Sequence, residues 1–207
     1  MVNIIQRLRH SRGFGVHSPF AFNFILNVIH DRYWYYAFDD IDKVLIRHKV
    51  DLYDNSFHHL TYRLMRYFKP STVLSVGVVQ DVNLMYICYD DKERKCTALD
   101  NGITNIGLLN SLNHEIEREF SVINDLENDI LYDSVFVDLI NNKITKEELF
   151  SVSMGDAFWV LYGINERSTK KLWKSIKYDK RVRVTFDNRN VGIVLLHKSY
   201  NKQNYLV

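Results

Sequence analysis

Proline and cysteine are scarce in this chain, with two of each among 207 residues. Cys88 and Cys96 alone provide neither a disulfide framework nor a metal-ligand spacing, and they read as reduced thiols in a helix and near a strand. An excess of one charge is missing as well. The 27 Lys and Arg against 25 Asp and Glu leave a formal net charge of +2, which implies no long-range attraction to nucleic acid or to an anionic membrane. No apolar run approaches the ~20 residues that span a bilayer. The first ten residues, MVNIIQRLRH, carry their arginines after the isoleucines and lack a cleavage site, so they do not read as a signal peptide. These absences together predict a cytoplasmic protein with no membrane partner. There is also no Gly-x-Ser-x-Gly elbow and no Gly-Lys-Ser/Thr phosphate loop, which leaves hydrolase and kinase readings without support.

What is present suits one well-buried domain with a small helical extension: 46% of residues are hydrophobic and 25% charged. The two prolines are informative by position. Ser18-Pro19 reads as an N-cap followed by proline at the first helical position, starting a helix that runs to about His30. Phe20, Phe24, Val28 and Phe22, Ile25, Ile29 give that helix an apolar surface wide enough for burial on more than one side. Pro70 ends another helix, which begins near Asn55-Ser56 and places Phe57, Leu60, Leu64, Met65 and Phe68 at a period near 3.6. Short helices are also expected over 3–10 and 38–48, so the first seventy residues read as helical and rich in aromatics.

After residue 71 the pattern changes. Short apolar runs at 72–78, 96–99, 120–123, 134–139 and 157–161 alternate with helical stretches at 82–90, 103–112, 144–151 and 166–177. That order implies βαβ crossovers and a mostly parallel sheet. The end differs: runs at 182–186 and 191–197 flank Asp187-Asn188-Arg189-Asn190, a tetrapeptide that favours a hairpin. The first strand, within TVLSVGVVQD at 72–81, ends in a turn with a single glycine, Gly77. A strand, a tight glycine turn and a helix is how an α/β domain opens its nucleotide crevice.

The alternation closed by a hairpin resembles the class I S-adenosylmethionine-dependent methyltransferase fold, a Rossmann-like α/β sheet of seven strands with an antiparallel C-terminal hairpin. More narrowly, the segment Arg12-Gly13-Phe14-Gly15-Val16-His17-Ser18-Pro19-Phe20 resembles one shared by a group of Bacteroidetes methyltransferase-like proteins. The resemblance implies an N-terminal helical cap over 1–70 and a methyltransferase-like domain over 71–207. It also implies S-adenosylmethionine as cofactor and a small-molecule methyl acceptor.

Carried over position by position, the resemblance makes Ser75, Gly77, Asp81, Asp100 and Asp138 the cofactor-site candidates. Ser75 stands where relatives place an acid that meets the methionine ammonium, and Asp81 where they place a second glycine. Asp81 reads either as a cap of the following helix or as a cofactor contact. Asp100 falls where an acid accepts the ribose hydroxyls, or is a turn residue before Asn101-Gly102. Asp138 aligns with a strand-end aspartate that faces the crevice. After the fifth strand Tyr162-Gly163 replaces an acidic pair, so no metal site is expected. These departures support an alternative in which the chain is a catalytically inactive binding or interaction protein on the same scaffold.

Four further groups carry a structural reading, two of them beside a functional one. His58-His59 lack a third ligand nearby and suit packing or surface roles. His17 reads as a substrate contact or a cap of the adjoining helix. Tyr33 to Phe38 reads as packing of the helical cap, although such a cluster can also stack a planar ligand. The basic run from Lys170 to Arg183 reads as a solvated helix face; nucleic acid is not an expected partner.

Overall fold

The β-branched runs after residue 71 pair into one sheet. The computed structural model describes residues 16–50, 56–77, 80–100, 111, 114, 120–126 and 129–207. The helix expected over 3–10 lies outside them, as do residues 103–110 and 112 of the helix expected over 103–112. In chain order the sheet strands are β1 (Thr72–Val76), β2 (Lys95–Leu99), β3 (Phe120–Ile123), β4 (Tyr132–Asp138), β5 (Ser153–Tyr162), β6 (Val184–Asn188), β7 (Val191–Leu195) and β8 (Gln203–Leu206). Their spatial order is β3-β2-β1-β4-β5-β7-β6-β8. β1 lies parallel to β2 and β4, and β7 runs antiparallel to both β5 and β6. The seven expected strands are therefore joined by an eighth, which extends the edge parallel to β6. The residues 203–206, QNYL, bury Tyr205 alone, so they carry too little alternation to read as a strand. The hairpin turn is also tighter than the four residues expected. Asn188 pairs directly with Val191, leaving Arg189 and Asn190 to turn the chain, with Arg189 at φ 54°.

Side-chain alternation along the strands divides the core. In β4, Val135 and Val137 face one layer while Phe136 faces the other. The first layer holds Leu149, Trp173 and Ile176, from α5 (Lys146–Ser151) and α6 (Lys170–Tyr178), which follow β4 and β5. The second holds α1 (Pro19–Phe24) with a π-helical turn Ile25–Ile29, α3 (Ser56–Phe68) and α4 (Gln80–Cys88). Phe24, Leu64 and Met65 pack there with Phe158, Val160 and Phe186. α2 (Tyr36–Arg47) covers α3 and α4 through Phe38, Ile41, Leu45, Tyr62 and Tyr86. Among the described residues no helix is long and apolar enough to cross a membrane.

Local signals behave as physics requires at α1. Ser18, and not His17, is the cap: its Oγ accepts from the Ala21 amide at 3.3 Å. Past Phe24 the hydrogen bonds lengthen to the i→i+5 pattern, as in His30 N donating to Ile25 O at 2.9 Å. Ala21, Phe24, Ile25, Val28 and Ile29 are buried, whereas Phe22 stays 39% exposed. The last carbonyls of this segment are capped from another helix, since Arg63 donates to Asp31 O and Ile29 O at 2.9 and 3.2 Å.

The same corner contains a pH-sensitive group. His30 is half-buried, and its Nε2 is buried without a hydrogen-bond partner among the described residues. Burial first, then the charges of Arg63, Arg189 and Arg32, hold its pKa below the usual 6.5. As pH falls through 6.5 the unfolded chain therefore takes a proton that the folded chain resists, and stability drops. His30→Gln is expected to reduce the loss in urea midpoint between pH 7.5 and pH 5.5. An identical loss in both proteins would remove His30 from the acid sensitivity.

Candidate functional site

Strand order reverses between β1 and β4, and open α/β sheets bind ligands at such a switch point, beyond the carboxyl ends of the strands. β1 ends at Val76, β2 at Leu99 and β4 at Asp138. Hydrogen bonding between β2 and β3 continues one residue further, with Asp100 N donating to Ile123 O at 2.8 Å. Four of the sequence candidates, Ser75, Gly77, Asp100 and Asp138, thus come to one edge of the sheet. Asp81 lies in the first turn of α4, near its start. Val78 and Val79 lie outside the described residues.

Each candidate has its own environment. Ser75 is buried within β1, opposite Ala98 and Phe136. Asp138 is fully buried, and its carboxylate is engaged by the turn that follows: Oδ1 accepts from Ile140 N at 2.9 Å, and Oδ2 from Asn141 Nδ2 at 2.7 Å. The carboxylate therefore closes the chain's own turn, an Asx-type use of a strand-end aspartate. Asn142 completes the junction. Its Nδ2 donates to Asp138 O at 2.8 Å and reaches Val76 O at 3.5 Å, tying the ends of β4 and β1. Gly77 lies directly beneath that amide at φ +118°, and a Cβ there would overlap Asn142 and come within 2.8 Å of Asp138 Cβ.

A cavity of about 670 Å³ opens at this edge. Val76, Leu99, Leu126 and Ile144 give it apolar surface, and Asn124, Asp125 and Asn141 give it hydrogen-bonding edges. None of the five sequence candidates lines it; their chain neighbours Val76 and Leu99 do, with Asn141, three residues past Asp138. Alternation explains this, because neighbouring strand residues face opposite sides. Leu99 and Val76 belong to the α5–α6 layer, whereas Ala98 belongs to the α1–α3 layer. Position in a motif identified the strand ends without saying which residue faces the opening. Asn141 and Asn142 had one available signal: two asparagines just after a strand-end aspartate are typical turn formers.

The end of β5 borders the same edge. Tyr162 pairs with Asp138 and packs on Phe57, ring centroids 5.1 Å apart. Gly163 turns at φ +81°, and its amide donates to Asn190 O at 2.8 Å. Among the described residues no group of three or more His, Cys, Asp or Glu is placed to hold a metal ion. The histidines pack against rings: His59 stacks on Phe38 at 3.8 Å, and His58 stacks on Tyr86 with its Nδ1 3.0 Å from Asn83 Oδ1. The aromatic run is only partly internal, since Phe38 is buried while Tyr33, Trp34 and Tyr36 remain exposed.

No protein-family model matches the chain, and no curated protein matches it in sequence. Solved structures do. A methyltransferase from Geobacter sulfurreducens aligns with a TM-score of 0.59 at 11% identity, covering 80% of this chain and 90% of that one. An O-methyltransferase from Bacillus cereus in complex with SAH gives 0.56 at 9% identity, covering 80% and 93%. An O-methyltransferase from Streptomyces achromogenes involved in tomaymycin synthesis, in complex with SAM, gives 0.52 at 10% identity, covering 79% and 90%. At such identities the likeness is one of architecture: the chain has the α/β Rossmann-like methyltransferase fold.

Proposed function

We propose that this chain binds S-adenosylmethionine at the carboxyl edge of β1, β2 and β4 and acts as a methyltransferase on a small-molecule acceptor. The observation that carries the reading is the cavity at the switch point of a sheet ordered β3-β2-β1-β4-β5-β7-β6. Its donor set suits the nucleoside end of the cofactor. Leu99, Leu126 and Ile144 offer a flat ring system apolar surface, and the side chains of Asn124, Asp125 and Asn141 offer polar contacts to its rim. Asp100, next to Leu99, does not itself line this cavity, so its assignment to the ribose hydroxyls rests on the resemblance. When bound, the cofactor supplies an electrophilic methyl carbon; the protein's part is to align an acceptor with it and exclude water. In this reading the helices before residue 70 wall the acceptor side, supported by the packing of Phe57 on Tyr162. The narrower kinship with the Bacteroidetes group rests on the resemblance of residues 12–20, extended by the stretch 182–194.

The amino-acid end of the cofactor fits less well. Ser75 offers no charge for an ammonium, the carboxylate of Asp138 is held by its own turn, and Asn142 lies against Gly77. That junction favours a second reading, in which the scaffold binds the nucleoside portion without transferring a methyl group.

Calorimetry and thermal melts with S-adenosylmethionine and S-adenosylhomocysteine test both readings. A binder at ~100 times its dissociation constant gains about 2.7 kcal/mol, and Asp100→Ala is expected to weaken that binding. Absence of heat and of any melting shift with both ligands at millimolar concentration would sink the cofactor reading. Tight binding without methylation of a panel of small phenolic acceptors would favour the second.

A further inference from the structure

A second pocket lies at the opposite, amino-terminal edge of the sheet, where β5 and β6 begin and β7 ends. β5 does not track β4 smoothly there. Tyr132 pairs with Ser153, but Ser134 pairs with Phe158, so the residues after Ser153 bow out of register. The bow helps enclose a pocket of about 500 Å³ whose apolar lining includes Phe150, Met154 and Leu196. A Cβ added at Gly155, on the bow itself, would meet nothing within 4 Å.

The charged lining is one-sided: Lys180, Arg181, Arg183 and Lys198 contribute to it, and no acid does. Arg181 is already committed. It makes paired bonds of 2.9 Å to Glu147, bonds Asp179 at 2.9 Å, and holds its guanidinium carbon 3.6 Å from the Phe150 ring centroid. The other three have no acidic partner among the described residues. Lys180 and Lys198 are exposed at the rim. Arg183 is half-buried, donates from Nη2 to Lys198 O at 3.2 Å, and has a buried Nε without a hydrogen-bond partner among the described residues. A buried guanidinium donor without an acceptor is unfavourable, and an oxyanion that presents two oxygens side by side matches the guanidinium fork best. The apolar lining adds a requirement that free phosphate or sulfate does not meet.

We propose that this pocket is a binding site for a small organic anion carrying an aromatic body, of the aryl carboxylate or aryl sulfonate class. The anionic group sits against Arg183 between the rim lysines, and the ring lies over Phe150, Met154 and Leu196. The site is separate from the crevice and does not depend on the methyltransferase reading.

The probe is 2-naphthalenesulfonate, titrated calorimetrically into the full chain at low ionic strength, with sodium sulfate and 2-naphthol as the anion alone and the ring alone. One-site binding is expected, about tenfold or more tighter than either comparator. Arg183→Gln combined with Lys198→Gln should weaken the sulfonate about tenfold while leaving 2-naphthol unchanged, since only charge-assisted contacts are removed. Gly155→Leu, at an exposed position with open space before it, should weaken the sulfonate without lowering the melting temperature. No saturable binding at millimolar probe, sulfate binding as tightly as the sulfonate, or an affinity unchanged in either variant would each overturn the proposal.

Discussion

Gly77→Ala is expected to destabilise the fold by about 3 kcal/mol, from backbone strain and overpacking together. At φ +118° an L side chain is sterically disfavoured. The new methyl group would also overlap the Asn142 amide and lie within 2.8 Å of Asp138 Cβ. Displacing Asn142 breaks its bonds to Asp138 O and Val76 O, which join the two central strands. Equilibrium urea unfolding measures the total, and the double variant Gly77→Ala with Asn142→Ala separates the causes. Removing the amide relieves the overlap but not the strain, so the double variant should recover about 1 kcal/mol relative to the sum of the single changes. The result also bears on function. If the glycine serves only the close approach of a ligand, Gly77→Ala will lose ligand binding and unfold like the parent. A variant as stable as the parent would therefore reject the packing explanation.

Gly77 also illustrates what the sequence could convey. The strand and its turn were legible from TVLSVG, because a β-branched run ending in glycine has few other readings. The hairpin was legible in the same way, from Asp187-Asn188-Arg189-Asn190 between two apolar runs. The helix boundaries at Ser18, Pro19 and Pro70 follow from chemistry that acts within a few residues. The reason for the glycine was not legible, since Asn142 reaches it only once β4 lies beside β1. The turn at Asp138 was illegible for the same cause: a strand-end aspartate can face a ligand or close its own turn, and the choice depends on where Asn141 and Ile140 come to rest. The bow in β5 and the added strand β8 depend on pairing register, which the short segments 153–157 and 203–206 do not encode by alternation.

Arg94 shows the same limit at its largest expected cost, because Arg94→Ala should remove about 3–5 kcal/mol, the range for breaking a buried charge cluster. It stands in DDKERK, which reads as solvent-facing charge, yet its side chain is 1% exposed. Its Nε donates to Pro70 O at 2.9 Å, and its Nη1 bonds Ile87 O and Asp90 Oδ1, the latter at 2.6 Å. One guanidinium thus holds together the residue pair leading into β1, the last turn of α4 and the connection to β2. Alanine would leave two carbonyls without this donor and a void where the fork had been. Arg94→Lys keeps the charge but gathers its donors on one nitrogen, which cannot span acceptors that Nε and Nη1 reach separately, and should restore only part of the loss. Asp90→Asn tests the ionic share alone; Asp90 is partly exposed, so the change should cost only about 1 kcal/mol or less. The expected order of urea midpoints is parent, Asp90→Asn, Arg94→Lys, Arg94→Ala. An Arg94→Ala protein within about 1 kcal/mol of the parent would instead place Arg94 with ordinary surface pairs. It would leave α4 and β2 anchored by the contacts of Leu84, Ile87 and Cys96 within the apolar layer alone.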